Sequence, residues 1–390
     1  MSKSQNIRLI IITACACLVG WVLCYYLVVL PPESSIPPES DLYPSGPFTY
    51  DYTKILFGLP FEALSGNNAQ FLEWKDMAYK EYMKKFKEIP ISTLTDYSLE
   101  DISKQLQDDN RAYALKRIIM PLEGVDPQYG GLLAIPHIIR PDRALIVAIH
   151  GHEEASWGAP ALDNFNNKGW MHHLAEAGHL VYAPISMYHE QIKNLADEYS
   201  YPLTWARLVS DSIDFLQTTV FKEYPHNGMA ACGLSAGGLT SWLLMAARPD
   251  INAAVIGGSI QPLNFLRNEY RIKDHPDCWD IPWLDSYTAI QSLIAPRPVM
   301  IIEGRQDSMF PRLTPLERNS WFSGSQRGIS TEEFVGGHLL LLKHVWELSG
   351  RANNLTVFIH NDGHEFKPLP ALKFIDGERN NHLFWDQANE

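Results

Sequence analysis

An α/β fold built on a largely parallel sheet is predicted for this chain, and three features predict it. From about residue 112 short apolar runs alternate with segments of helical periodicity, the pattern of strands joined by crossover helices. One of those runs, made of small residues, breaks into a helix-forming stretch at Gly233-Leu234-Ser235-Ala236-Gly237, which reads as a sharp strand-to-helix turn. And 390 residues, 46% of them hydrophobic and 20% charged, are enough to bury a large core.

The first element precedes that domain. From Leu9 to Leu30 no charged residue occurs over 22 positions; as a helix at about 1.5 Å per residue the run reaches about 33 Å, enough to cross a hydrocarbon core of about 30 Å. Residues 1–30 are therefore read as an uncleaved transmembrane anchor. A cleaved signal peptide is the rival, but its apolar region normally ends sooner, at a small-residue site, whereas this one continues through Trp21, Tyr25 and Tyr26. Processing before Cys15, in Ile12-Thr13-Ala14-Cys15, would instead leave a lipid anchor at that cysteine. Lys3 and Arg8 precede the span, so the expected orientation is a short cytoplasmic N-terminus with the body exported.

Residues 31–47 hold six prolines and read as an extended spacer. Residues 48–111 form a helical N-terminal extension: the stretch 71–86 has helical spacing with its charges on one face, and 99–109 reads as a second helix. The main domain, 112–390, opens with a pair of strands in 112–121 and 131–139. Buried strands are then predicted at 144–151, 179–186, 228–235, 252–259, 297–304 and 355–361, with helices between them in 170–178 and 204–220.

Charge and cysteines narrow the function. Lys3 and Arg8 are the only charged residues before Glu33, leaving a body of 30 basic against 45 acidic residues, a balance of −15; with no basic stripe, that surface argues against a nucleic-acid partner. Three of the five cysteines fall in the apolar run, and Cys232 and Cys278 remain. One bridge between them is the alternative to two free thiols, and no disulfide framework is present.

The chemistry centres on Ser235. A serine hydroxyl needs a base to remove its proton and an acid to orient that base. Asp307 follows one predicted strand in MIIEGRQD, and His364 follows the next in VFIHNDGHEF. Glu303 and Asp362 are rival acids, and His360, inside its strand, reads as a core histidine. For the oxyanion the donors expected are the amides of Ala236 and His152, the latter in the loop after IHG. His150, His152, Glu153 and Glu154 raise a metal reading, but Gly151 marks a loop and no further ligand motif appears, so neither metal nor cofactor is expected.

At these residues the sequence resembles the α/β-hydrolase superfamily: IHGH, GLSAGG, LIAPRPVMIIEGRQDSMFP and DGHEF stand in its order across roughly residues 112–370. Within it the chain is similar to the acetyl xylan esterase and dienelactone hydrolase-like branch, through the stretch 274–282 and the APRP entry to a strand. The resemblance implies an eight-stranded, mostly parallel sheet with helices on both faces. It also implies acylation of Ser235, base catalysis by His364 and hydrolysis of the acyl-enzyme by water. Dienelactone hydrolases carry a cysteine as nucleophile, so Ser235 speaks against that reaction. The expected function is a serine hydrolase of carboxylic esters, with deacetylation of a carbohydrate as the narrower form. A peptidase of the prolyl oligopeptidase type and a non-catalytic anchored binding protein are the alternatives. Phe265, Trp279, Trp283, Trp321 and Phe322 are candidates to line an acyl or sugar pocket, with Asp274, Asp277 and Asp280 as hydrogen-bonding partners; core or lid packing explains the aromatics equally well.

Overall fold

A computed structural model of the chain describes residues 68–89, 91, 94–105, 111–121, 129–151, 169–185, 201–259, 287–304, 307, 339, 342–377 and 384–385. By compactness the chain divides into Met1–Ser45 and Gly46–Glu390, and every described residue belongs to the second unit. The expected anchor, the spacer and Cys15 lie outside the described residues. Among those described, no helix is long and apolar enough to cross a membrane.

The strands are β1 (Ser98–Asp101), β2 (Tyr113–Met120), β3 (Tyr129–Pro136), β4 (Leu145–Ile149), β5 (Leu180–Pro184), β6 (Met229–Leu234), β7 (Ile251–Gly257), β8 (Val299–Gly304), β9 (Leu355–His360) and β10 (Phe384–Trp385). They form one sheet in the order β1-β2-β3-β5-β4-β6-β7-β8-β9-β10. The pairs β1–β2, β2–β3 and β3–β5 are antiparallel and the remainder parallel. Each parallel pair requires a crossover, which is why helix-periodic segments separate these strands in the sequence.

The helices are α1 (Asn68–Glu88), α2 (Trp170–Glu176), α3 (Tyr201–Thr219), α4 (Ala236–Ala247), α5 (Tyr287–Ile294) and α6 (Pro368–Ile375), with a further helical stretch at 342–348. They cover both faces of the sheet. Along β4, Leu145, Val147 and Ile149 join a core with residues of α1, α3, α4 and α5; Ile146 and Ala148 pack on the opposite face with residues of α2 and α6. Alternate side chains of one strand thus enter two separate cores, and a strand buried on both faces reads as a continuous apolar run. Every residue of α4 is buried, because that helix is packed between the sheet and α1, α3 and α5.

Two expectations are corrected. The sheet has ten strands among the described residues rather than eight, the additions being β1 and β10 at its two edges. And the segment read as a second helix, 99–109, contains, among its described residues, Leu99–Asp101 of β1 and a short 3₁₀ turn at Ser103–Gln105. All four residues of β1 are exposed, so it has no apolar alternation to betray it. It is a strand because β2 offers an open backbone edge, with Ser98 to Asp101 in register against Ile119 to Lys116. The first expected helix is present and longer, spanning Asn68–Glu88. Its Phe71, Tyr82 and Phe86 are buried, and the Tyr82 hydroxyl donates to the Leu243 carbonyl of α4 at 2.7 Å.

Candidate active site

Ser235 occupies the turn between β6 and α4 at φ 57°, ψ −124°. It is the only non-glycine residue with positive φ among those described, and such a backbone conformation costs free energy that only a rigid surround sustains. The surround is tight. A Cβ on Gly233 would lie 2.3 Å from the Gly237 carbonyl oxygen, and one on Gly237 would lie 2.0 Å from the Ile149 oxygen. Both glycines of the Gly-x-Ser-x-Gly turn are therefore required by close backbone approach. The Ser235 amide donates to the Gly257 carbonyl at 2.8 Å, which ties the turn to the end of the neighbouring strand.

The expected acid and base come together. Asp307 lies three residues past the end of β8, its amide closing a turn onto the Gly304 carbonyl at 3.1 Å. His364 lies four residues past β9, and its Nδ1 donates to Asp307 Oδ2 at 2.6 Å. The carboxylate is almost fully enclosed while 16% of the imidazole side chain remains accessible. Gly304 allows the two loops to approach, since a Cβ there would meet the Gly363 oxygen at 2.1 Å. With Nδ1 holding the proton for Asp307, Nε2 is the basic nitrogen; it is buried and has no hydrogen-bond partner among the described residues. The ring lies against Gly258 at the end of β7, the strand that also receives the Ser235 amide.

The rival acids are placed elsewhere. Asp362 is half exposed and pairs with Lys367. Glu303 is buried at the end of β8 and accepts the Ser259 amide at 3.2 Å. His360 is fully buried, and burial pushes its imidazole down to about 4. Cys232 is a free thiol inside β6, where burial pushes its ionisation far up; it packs as a small apolar side chain.

Ala236 is the first residue of α4, so its amide has no carbonyl within the helix, and the helix N-terminus adds its partial positive charge beside Ser235. The second expected oxyanion donor, His152, lies outside the described residues, as do Cys278 and the aromatic and acidic pocket candidates at Phe265, Asp274, Asp277, Trp279, Asp280, Trp283, Trp321 and Phe322. His150 is described. Its Nδ1 donates to the Gly151 carbonyl at 2.8 Å, its ring meets Trp205 edge-on, and burial lowers it to about 4. Among the described residues no group of three or more His, Cys, Asp or Glu is placed to hold a metal.

Sequence reading missed the turn Gly257–Gly258–Ser259, which touches both Ser235 and His364. The Gly-Gly-Ser string, read as the end of the strand predicted at 252–259, was the available signal.

No protein-family model matches the sequence, and no curated protein does either. Solved structures do. A methylesterase aligns over 84% of this chain at 14% identity and a TM-score of 0.54. The chain has the α/β-hydrolase fold. The chain spans 65% of the methylesterase's length. A protein of Bacteroides fragilis assigned as an acetyl xylan esterase aligns over 80% of this chain and 82% of its own, at 14% identity and a TM-score of 0.53. A glucuronoyl esterase of Solibacter usitatus covers 77% and 92%, at 13% identity and a TM-score of 0.52.

Proposed function

We propose that this α/β hydrolase is a serine esterase that cleaves carboxylic esters carried by carbohydrates, through an acyl-enzyme on Ser235. The observation that carries the reading is the 2.6 Å bond between His364 Nδ1 and Asp307 Oδ2, taken together with a serine held at positive φ in the strand-to-helix turn. In this reading Ser235 Oγ attacks the acyl carbon and His364 Nε2 takes its proton, while Asp307 stabilises the imidazolium that forms. The amides of Ala236 and His152 receive the oxyanion. His364 then protonates the departing alcohol, a water attacks the acyl-enzyme with the same imidazole as base, and Ser235 is restored. The ester reading draws support from the methylesterase, acetyl xylan esterase and glucuronoyl esterase folds, and the carbohydrate from the last two.

The reading includes a tether. The uncharged run 9–30 behind Lys3 and Arg8 supports a single-pass anchor with the catalytic body exported; a lipid at Cys15 would tether the same body.

The test uses the full chain in detergent. Labelling by a fluorophosphonate should depend on Ser235 and vanish in Ser235→Ala. Short-chain p-nitrophenyl esters should turn over and prolyl-peptide chromogens should not. Labelling that survives Ser235→Ala would remove the nucleophile assignment, and the reverse substrate preference would move the enzyme to the peptidases.

A further inference from the structure

The turn Gly257–Gly258–Ser259 touches both residues proposed to react. On one side the Gly257 carbonyl accepts the Ser235 amide at 2.8 Å. On the other, Gly258 lies directly against the imidazole: a Cβ there would sit 2.5 Å from Cε1 and 2.8 Å from Nδ1 of His364. A displacement of this turn therefore changes the position of the base relative to the nucleophile.

Three bonds hold the turn. The Gly258 amide donates to the Ile302 carbonyl of β8 at 2.9 Å. The Ser259 amide donates to Glu303 Oε1 at 3.2 Å, and the Ser259 carbonyl accepts the indole N–H of Trp242, on α4, at 3.2 Å. Ser259, Trp242 and Glu303 are all buried. Glu303 is the costly member of the set. Taking a carboxylate out of water is unfavourable unless hydrogen bonds compensate, and an aliphatic side chain like those of Ile301 and Ile302 before it would pack there more cheaply. What the carboxyl group can do and an aliphatic group cannot is accept the Ser259 main-chain N–H, which would otherwise be buried without that acceptor.

We infer that Glu303 is a positioning residue, which sets the distance between Ser235 and His364 by holding the Gly257–Ser259 turn. The inference rests on the assignment of Ser235 and His364 as nucleophile and base. It separates Glu303 from Asp307, which bonds to the imidazole itself: the aspartate orients the ring, and the glutamate places the backbone on which the ring rests. An error of about 1 Å in such a placement costs on the order of 10²-fold in rate.

The experiment compares Glu303→Gln, Glu303→Met and Trp242→Phe in the full chain in detergent, with p-nitrophenyl acetate for steady-state kinetics and a fluorophosphonate for labelling. Glutamine keeps an acceptor oxygen at the same reach and should stay within about threefold of the parent, whereas methionine keeps the volume but loses the acceptor and should lose about 10²-fold in kcat with KM held. Trp242→Phe should lower kcat in the same sense, and its combination with Glu303→Met should lose less than the product of the single effects, since both act through one turn. Parental kcat in Glu303→Met overturns the inference, as does a Glu303→Gln as damaged as Glu303→Met, which would make the charge rather than the tie the active feature. If the methionine variant does not fold, parental kcat in Trp242→Phe overturns it and a kcat loss with KM held supports it. Absence of Ser235-dependent labelling in the parent enzyme removes the hydrolase reading, and the positioning role falls with it.

Discussion

Ser235 is held in a backbone conformation that glycine adopts more readily, at φ 57° and ψ −124°. Strain of this kind is worth about 1–3 kcal/mol, and glycine's greater unfolded-state freedom offsets about 0.5–1 kcal/mol of any relief. Strain is the larger of the two. Ser235→Gly should therefore raise the unfolding free energy by about 1 kcal/mol while abolishing fluorophosphonate labelling, and a destabilised glycine variant would contradict the strain argument. The two aspartates near His364 make a second contrast. Asp307 bonds to Nδ1 and is enclosed, while Asp362 is half exposed and occupied by Lys367. Asp307→Asn should reduce kcat/KM by on the order of 10⁴-fold, as loss of the orienting carboxylate does in triads of this kind. Asp362→Asn should leave kcat/KM within a few-fold. Equal losses from the two would require a different acid.

The elements differ in how plainly they announce themselves. Strands β4, β6, β7, β8 and β9 follow the apolar runs closely, because a parallel strand covered on both faces has almost no polar position. Helix α1 is legible for the opposite reason: its apolar positions recur at helical spacing, and Phe71, Tyr82 and Phe86 are the ones buried. Strand β1 was not legible, since Ser98, Leu99, Glu100 and Asp101 are all exposed and only the ladder to β2 makes them extended. The seating of α1 on α4 can be probed directly. The buried Tyr82 hydroxyl donates to the Leu243 carbonyl; Tyr82→Phe removes that donor at nearly constant volume and should cost about 1 kcal/mol in urea unfolding. No loss would mean that α1 is held by its apolar face alone.

Among the described residues three imidazoles are enclosed at different strands. His150 follows β4, His179 precedes β5 and His360 ends β9, and burial is the main cause that pushes each down to about 4. In the unfolded chain each titrates near 6.5. Above that pH neither state holds the extra proton, and the three contribute no pH dependence. As pH falls from about 6.5 toward about 4 the unfolded chain binds protons that the folded chain does not, so stability is lost across that window. The urea midpoint should accordingly fall between pH 7 and pH 5, above the range in which ordinary carboxylates titrate. A midpoint that stays level between those values would show that these rings take up protons within the fold.

The sequence by itself determined the α/β class, most of the strands of the central sheet, and the chain order Ser235, Asp307, His364. Each of these is written in local terms: two-sided burial makes an apolar run, and a strained turn demands glycines at close spacing. Only the tertiary structure decided between Asp307 and Glu303 as partner of His364, because the two are four residues apart and the choice depends on where the loop after β9 lies against β8. Only the tertiary structure, likewise, brought the Gly257–Ser259 turn against both Ser235 and His364, since those contacts join three strand ends far apart in the chain. Main-chain approach across a parallel sheet leaves no periodic trace in the side chains, and for that reason the turn was hidden in the sequence where the candidate residues Ser235, Asp307 and His364 were not.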